Sequence, residues 1–262
     1  MRGVASKFRL WVLALAALLA TAPAGAQKVT VMSSGGFAAA YKLLGAQFEK
    51  AHGEQLDSIW GPSMGTTSGA IPVRLARGES ADVVIMVRSA LDRLVKQGYV
   101  EPGSVVDLAA SRIGMAVKAG TRAPTIGTVD ELRKALLKAR SVAYSDSASG
   151  VYIQSQLFRK LGIEQQMKAK SRMIPATPVG EIVARGEAQI GFQQISELKP
   201  ISGITVVGPI PDAVQSITIF SAGIVKKGPD QQGARDLIEF LASPDVCGTI
   251  RETGLDPVTC GR

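Results

Sequence analysis

Three turns in the 262-residue sequence combine glycine with small hydroxyl side chains directly before a stretch of helical periodicity. They occupy residues 29–36, 60–69 and 142–150. Hydroxyl groups bind anions, and so do the backbone N–H groups that glycine leaves uncovered at a helix start. Three turns of one chemical kind therefore predict one composite anion site. The alternative interpretation is that each turn is only a capped helix start, which is the usual role of serine and threonine there.

Two neighbouring features extend this set of donors. Thr66 and Thr67 add hydroxyls to the second turn, although they could also cap its helix. Arg88 follows the apolar run 83–87, at the carboxyl end of a predicted strand, where cleft residues lie. Its guanidinium could hold a carboxylate through two hydrogen bonds, or it could be a solvated arginine at a helix start.

Residues 1–26 form a separate unit that is typical of a secretory signal peptide. Three basic residues flank the start of the apolar run 10–19, and small residues mark two cleavage positions, after Ala22 or after Ala26. The apolar run is shorter than a helix that spans a bilayer. We therefore expect an exported, periplasmic protein that does not insert into the membrane.

Composition argues against several classes of function. Without the three basic residues of the leader the formal charge falls from +8 to +5, and no basic run with interleaved aromatic residues indicates a nucleic-acid partner. His52 is the only histidine and lies at a polar helix end, so we predict neither a metal site nor a histidine triad. The spacing of Cys247 and Cys260, the only cysteines, would let a disulfide tie the C-terminal tail to the last helix.

From residue 29 onward, short apolar runs alternate with amphipathic stretches. This pattern predicts strands that alternate with helices, and hence parallel βαβ units in an α/β fold. The predicted strands cover residues 29–32, 56–60, 83–87, 104–108, 112–117, 141–144, 172–174, 188–192, 203–207 and 215–225. The predicted helices cover residues 37–51, 69–78, 90–97, 129–139, 151–161, 179–185, 231–241 and 244–252.

Two of the extended regions predict crossings between lobes, one within residues 104–117 and one at residues 215–225. Residues 27–108 together with 226–262 would form the first lobe, and residues 109–225, with the crossovers, the second. Two lobes joined by two crossover strands leave a central cleft, where small ligands are usually bound.

Four segments, residues 29–37, 78–85, 147–152 and 185–191, carry a resemblance to a known family. In combination they make the whole mature chain resemble the type II periplasmic binding proteins, and within them the molybdate-binding family. The resemblance implies a two-lobe fold that closes over an oxyanion and that is commonly monomeric. In the molybdate binders the oxyanion is held by hydroxyls and main-chain N–H groups of the turns, and by a tyrosine of the second lobe.

The sequence departs from the molybdate-binding pattern at two positions. Gly36 stands where a serine is expected and Gln194 about where the tyrosine is expected, whereas Ser63, Ser149 and Val179 match. A small dianion bound here would lack hydrogen bonds at these two positions, and each missing bond would cost roughly 1–3 kcal/mol of binding free energy. Side-chain amides can orient carboxylates, so a larger polycarboxylate is favoured over molybdate. The predicted ligand-binding residues are Ser33, Ser34, Gly35, Gly36, Ser63, Gly65, Thr66, Thr67, Arg88, Ser147, Ser149, Val179, Gln193 and Gln194.

A branch of this family contains aconitate isomerase, and the chain resembles that branch as much as it resembles a transport protein. The resemblance implies interconversion of cis- and trans-aconitate by an allylic proton shift, without a metal or an organic cofactor. Such a reaction needs fixed donors for enolate-like charge and one group that takes and returns a proton. The candidate proton carriers are Tyr152, Tyr144 and Glu181, each of which also has an ordinary structural interpretation.

Two other classes of function remain open. Most chains of this fold are solute-binding subunits of ABC importers, which bind a small anion without turnover and deliver it to a permease. Here that anion would be an organic carboxylate rather than molybdate. A structural or protein-interaction module would leave the three turns without a role. We therefore rank the isomerase first and the importer subunit second.

Overall fold

Strands and helices alternate along the computed structural model, which describes residues 28–260; the predicted signal peptide, residues 1–26, lies outside the described residues. The strands are β1 (Lys28–Ser33), β2 (Gln55–Trp60), β3 (Val83–Val87), β4 (Val106–Ser111), β5 (Ile113–Lys118), β6 (Val142–Ser145), β7 (Ser171–Ile174), β8 (Ile190–Gln194), β9 (Ile204–Pro209), β10 (Thr218–Ile224) and β11 (Asp256–Pro257). The α-helices are α1 (Gly35–His52), α2 (Ile71–Ala76), α3 (Arg88–Lys96), α4 (Val129–Lys138), α5 (Ala148–Tyr152), α6 (Phe158–Lys160), α7 (Glu164–Lys168), α8 (Val179–Ala184), α9 (Ile195–Leu198), α10 (Gln231–Leu241) and α11 (Cys247–Glu252).

The strands form two mixed sheets, and in each of them three neighbouring strands on one side are parallel. The first sheet has the order β11-β4-β10-β3-β1-β2, and β1 pairs in parallel with both β2 and β3. The second has the order β7-β6-β8-β5-β9, and β6 pairs in parallel with both β7 and β8. Parallel neighbours need a crossover connection, which helices supply here. The predicted two-lobe α/β architecture is thereby confirmed.

Each lobe has its own apolar core. In the first, Phe37 and Phe48 of α1 pack with the strands of the first sheet. In the second, Met115 and Phe192 pack with helices α4 and α5. Separate cores allow each lobe to act as a unit. Within residues 28–260, no helix is both long enough and apolar enough to cross a bilayer.

The chain passes from the first sheet to the second between β4 and β5, and it returns between β9 and β10. Gln215 links the two crossings, because its Oε1 accepts from the Ile113 N–H at 2.9 Å and its Nε2 donates to the Ile113 carbonyl at 3.1 Å. Arg112 also pairs with Asp212 across this region. The sequence-based division assigned residues 109–225, with the crossovers, to the second lobe; β10 pairs within the first sheet.

Several predicted element boundaries were wrong for identifiable reasons. The helix predicted at 69–78 begins at Ile71, because Pro72 is favoured in a first turn. The helix predicted at 151–161 already begins at Ala148 and continues through a π-helical turn, Ile153–Leu157. The strand predicted at 104–108 is β4, at Val106–Ser111. Helices α7 and α9 were missed, because four or five residues are too few to show a helical period.

The C-terminal segment is joined to the last helix by a disulfide. Cys247, the first residue of α11, is bonded to Cys260, with the two Cα atoms 6.2 Å apart. Between them the short strand β11 pairs with β4 of the first sheet. The disulfide therefore closes a loop that holds this segment on the first lobe.

Candidate functional site

A cavity of about 210 Å³, here called the cleft, lies between the two lobes. It is situated at the carboxyl ends of the parallel strands of both sheets, where α/β proteins usually bind ligands. The first lobe contributes to its lining Ser34, Gly35, Gly36, Trp60, Ser63 and Phe220, among others. The second lobe contributes Ser145, Asp146, Ser147, Gln193, Gln194 and Glu197, among others.

Ser34 stands at the start of α1 with a free hydroxyl. Its backbone is extended, as expected of an N-cap residue, but its side chain makes no capping hydrogen bond. The Oγ is buried and has no partner among residues 28–260. The first N–H groups of an 18-residue helix and its positive end lie beside this hydroxyl. Together they are suited to hold an anion. Ser33, its neighbour, is buried in β1 and does not line the cleft.

The two glycines of this turn allow close approach of side chains from elsewhere. A Cβ atom on Gly36 would lie 2.0 Å from Cζ of Phe220. A serine therefore does not fit at this position beside Phe220, which explains the departure from the molybdate-binding pattern. A Cβ atom on Gly35 would lie 2.6 Å from Oε1 of Glu197 in the other lobe.

The second turn contributes Ser63. Its Oγ accepts a hydrogen bond from the Val87 N–H at 3.0 Å, so the hydroxyl hydrogen remains available to a ligand. The other predicted residues of this turn, Gly65, Thr66 and Thr67, are exposed and lie outside the cleft lining.

The third turn brings three hydroxyls into mutual contact. Ser145 Oγ lies 2.7 Å from Ser147 Oγ and 3.1 Å from Ser149 Oγ. Ser145 and Ser147 line the cleft, and Ser149 is buried and does not line it. Ser147 stands before the first residue of α5, and it makes no capping bond either.

Two glutamines end β8 at the cleft. Gln193 Oε1 accepts from the Val179 N–H at 2.9 Å, so this N–H group at the start of α8 is already paired. Gln194 Nε2 donates to Thr218 Oγ1 at 3.0 Å, and its buried Oε1 has no partner in the described part of the chain. Rotation of that amide would let Thr218 donate instead and would turn the NH₂ group to the free position.

Arg88 is engaged within the first lobe. Its Nε donates to Asp92 at 2.9 Å and its Nη1 to Asp107 at 2.6 Å, which raises the pKa of the guanidinium. Its side chain does not line the cleft, and neither does any lysine or other arginine of the described residues. Positive potential in the cleft therefore comes from N–H dipoles and hydroxyls.

The three predicted proton carriers lie outside the cleft lining. The Tyr152 hydroxyl donates to the Val214 carbonyl at 2.6 Å and accepts from Lys160 at 3.2 Å. Tyr144 is part of the second core, and burial raises the pKa of its hydroxyl. Glu181 is exposed and pairs with Arg185 at 3.5 Å.

Sequence reasoning missed Glu197, which is half-buried and lines the cleft. Burial raises the pKa of its carboxyl to about 7, hydrogen bonds from the Gln193 side chain and the Gln194 backbone oppose the rise, and the charge of Asp146 adds to it. A signal was available, because Glu197 follows the carboxyl end of a strand, as Arg88 does.

Residues 29–256 match the family model described as bacterial extracellular solute-binding protein. The chain belongs to this family. Within it, the chain is 51% identical over 255 residues to an aconitate isomerase from Pseudomonas sp, a match that covers 95% of this chain and 97% of that protein. It is 26% identical to the molybdate-binding protein ModA of Azotobacter vinelandii, over 93% of this chain and 95% of that one.

A solved structure supports the same family fold. The periplasmic molybdate-binding protein of Azotobacter vinelandii superposes with a TM-score of 0.70 at 20% identity, over 87% of this chain and 98% of that chain. The predicted resemblance to molybdate-binding-like type II periplasmic binding proteins is confirmed.

Proposed function

We propose that the protein is a periplasmic isomerase that interconverts cis- and trans-aconitate in the cleft between its lobes. The observation that carries the proposal is the 51% identity to an aconitate isomerase along nearly the whole of both chains. Export through the leader at residues 1–26 and action as a monomer are parts of the same proposal.

The chemistry of the cleft supports a carboxylate with a carbon skeleton. Donors lie on both walls, with Ser34 and Ser63 on one side and Ser147 on the other. Trp60 and Phe220 add apolar surface. A tetrahedral metal oxide has no hydrocarbon surface to place against these rings, whereas aconitate has both carboxylates and a carbon chain. Each hydrogen bond to a charged group contributes about 1.5–3 kcal/mol.

The reaction is an allylic proton shift. One C–H bond of the substrate methylene breaks, and its electron pair becomes part of a new C=C bond, while the former double bond takes up a proton at its far carbon. Charge spreads into a carboxylate in between, where fixed N–H and O–H donors stabilise it most strongly. The geometry of the product is set by the conformation about the bond that becomes the new double bond, at the moment when the proton leaves, and no electrons are gained or lost overall.

The test is an assay of the purified exported protein with cis- and trans-aconitate separately, without added metal, followed by chromatography. We expect the reactions that start from cis-aconitate and from trans-aconitate to reach the same ratio of the two isomers. Absence of conversion at every pH between 5 and 9 would overturn the proposal.

A second candidate, a solute-binding subunit of an ABC importer, is favoured by the family fold and by the relatives that bind molybdate. It predicts a rise in melting temperature with a small organic anion, or with molybdate, and no turnover. The same assay, run beside a thermal-shift measurement, separates the two candidates.

A further inference from the structure

Glu197 occupies the place where the two lobes meet. It lies in α9, directly after the carboxyl end of β8, and its carboxyl lines the cleft. The Oε1 atom lies within contact distance of Gly35 at the start of α1, as the 2.6 Å approach of a Cβ atom built there indicates. A group carried by the second lobe thus faces the N–H groups of a long helix in the first.

The two residues that precede Glu197 are held in place. Ser196 Oγ donates to the Gly36 carbonyl at 2.7 Å, in a buried hydrogen bond that joins the two lobes. The N–H of Ile195 donates to the Arg112 carbonyl at 3.0 Å, in the crossing between the lobes. The position of the Glu197 carboxyl is therefore determined by both lobes.

Gln193 gives the carboxyl a directed donor. Its Oε1 accepts from the Val179 N–H, so the NH₂ end of the same amide is the end that is free to donate. Hydrogen bonding from that side chain and from the backbone of Gln194 lowers the pKa of the Glu197 carboxyl. The ionised form of Glu197 is therefore stabilised, although burial opposes it.

Besides burial and these hydrogen bonds, the charge of a second carboxyl, that of Asp146, acts on Glu197. Asp146 Oδ2 accepts from the Ala176 N–H at 3.1 Å, which ties it to the loop after β7. The elements packed against α9 are α1, α8, β5, β8 and β9, and among the described residues Asp146 is the one whose charge acts on the pKa of Glu197. Burial and this neighbour give the carboxyl a pKa of about 7, close to the value that suits a group exchanging protons at neutral pH.

We propose that Glu197 is the catalytic residue that takes the proton from the substrate methylene and returns it to the far carbon of the allylic system. This inference rests on the proposed function. The carboxylate forms an O–H bond as the C–H bond breaks, and it gives up that proton as the new C–H bond forms. Glu197 is therefore ionised again at the end of the reaction. The N–H groups at the start of α1 face the charge that develops in between.

The test compares Glu197→Gln with wild type, because glutamine keeps the size of the side chain but cannot take up a proton. We expect kcat to fall by about 100-fold or more. We expect the dissociation constant for an equilibrated aconitate mixture to change by less than about threefold, since the carboxyl is not a donor to the anion. Glu164→Gln, an exposed glutamate at the start of α7, is the matched control and should keep wild-type kcat.

A second variant separates proton transfer from packing. Glu197→Asp keeps a carboxyl on a shorter side chain, so it should retain more activity than Glu197→Gln. Equal loss in both variants, or a Glu197→Gln protein with wild-type kcat, would overturn the role of Glu197 and leave the proposed function standing. Loss of kcat in Tyr152→Phe but not in Glu197→Gln would return the role to the tyrosine. An inactive wild type would remove the proposed function, and the role of Glu197 with it.

Discussion

Helix starts at the cleft and helix starts elsewhere use the same residue types differently. Away from the cleft, Thr128 accepts from the Glu131 N–H at 3.2 Å at the start of α4, and Asp230 accepts from the Gly233 N–H at 2.9 Å at the start of α10. At the cleft, Ser34 and Ser147 stand in the equivalent positions and make no capping bond. The Ser34 hydroxyl is thus left for a ligand, whereas the Ser147 hydroxyl contacts Ser145 Oγ at 2.7 Å and Ser149 Oγ at 3.3 Å.

The sequence around each start carries part of this difference. Thr128 is followed three residues later by Glu131, whose carboxylate accepts from the Thr128 N–H at 3.0 Å and completes a capping box. Ser34 is followed by two glycines and Phe37, with no such partner. A serine before a helix is therefore better evidence for a ligand site when no residue completes a capping box. Four predictions test this comparison and its link to Glu197.

The largest effect is expected from Gly35→Ala at the start of α1. The added Cβ meets Oε1 of Glu197, so the carboxyl must move, and a displacement of about 1 Å can cost about 100-fold in rate. We therefore expect kcat to fall by about 100-fold. Gly248→Ala, at an exposed glycine of α11 whose Cβ would meet open space, is the matched control. Unchanged kcat in Gly35→Ala would show that Glu197 is not held at α1.

Ser34→Ala should weaken ligand binding without weakening the fold. Because the Oγ of Ser34 has no partner among residues 28–260, its removal breaks no bond of the unliganded protein. A lost hydrogen bond to a carboxylate corresponds to about 1.5–3 kcal/mol, or roughly a tenfold or larger rise in the dissociation constant. Calorimetry with an equilibrated aconitate mixture measures this, and thermal unfolding should give an unchanged melting temperature. A lower melting temperature with unchanged affinity would make Ser34 an ordinary capping residue.

The stability of the unliganded protein should depend on pH through Glu197. Below the ordinary glutamate pKa of 4.5 the carboxyl is protonated in both the folded and the unfolded chain. As the pH rises toward about 7, only the unfolded chain releases this proton, so the folded state is progressively destabilised. We expect the melting temperature of wild type to fall relative to that of Glu197→Gln by a few degrees between pH 4.5 and 7, and then to level off. A constant difference between the two proteins would contradict the raised pKa.

The smallest effect is expected from Thr128→Ala at the start of α4. Loss of this cap should cost about 1 kcal/mol of the free energy of unfolding, or about 2–4 °C in melting temperature. Aconitate affinity should stay at the wild-type value, because α4 does not line the cleft. If Thr128→Ala lowered the affinity as much as Ser34→Ala does, capped and uncapped helix starts would be functionally alike.

Much of the fold could be predicted because its signals are local. Strand β3 and helix α10 have the predicted bounds, since an apolar run or an amphipathic period over neighbouring residues specifies them. The site could be predicted in part for the same reason: Ser34 and Ser63 follow strand ends, Gln194 ends a strand, and all three lie at the cleft. The four-residue helix α9 shows no period, so its place at the cleft could not be read from the pattern.

The other site residues were placed by contacts between residues that are far apart in the sequence. Arg88 and Glu197 both follow the carboxyl end of a strand, and the one local difference is Asp92, four residues after Arg88, which accepts from its Nε. Asp107, 19 residues beyond Arg88, directs the guanidinium away from the cleft. Gly35, on the other lobe, leaves the space that Glu197 occupies.

The sequence by itself therefore determined the two α/β lobes, the crossings between them and the hydroxyl-rich turns, because periodicity and turn chemistry act between near neighbours in the chain. Only the tertiary structure decided which serine at the cleft stays unpaired and which carboxyl is half-buried there. A hydrogen-bond partner or a desolvating surface comes from residues far away in sequence, and these are brought together only when the lobes pack.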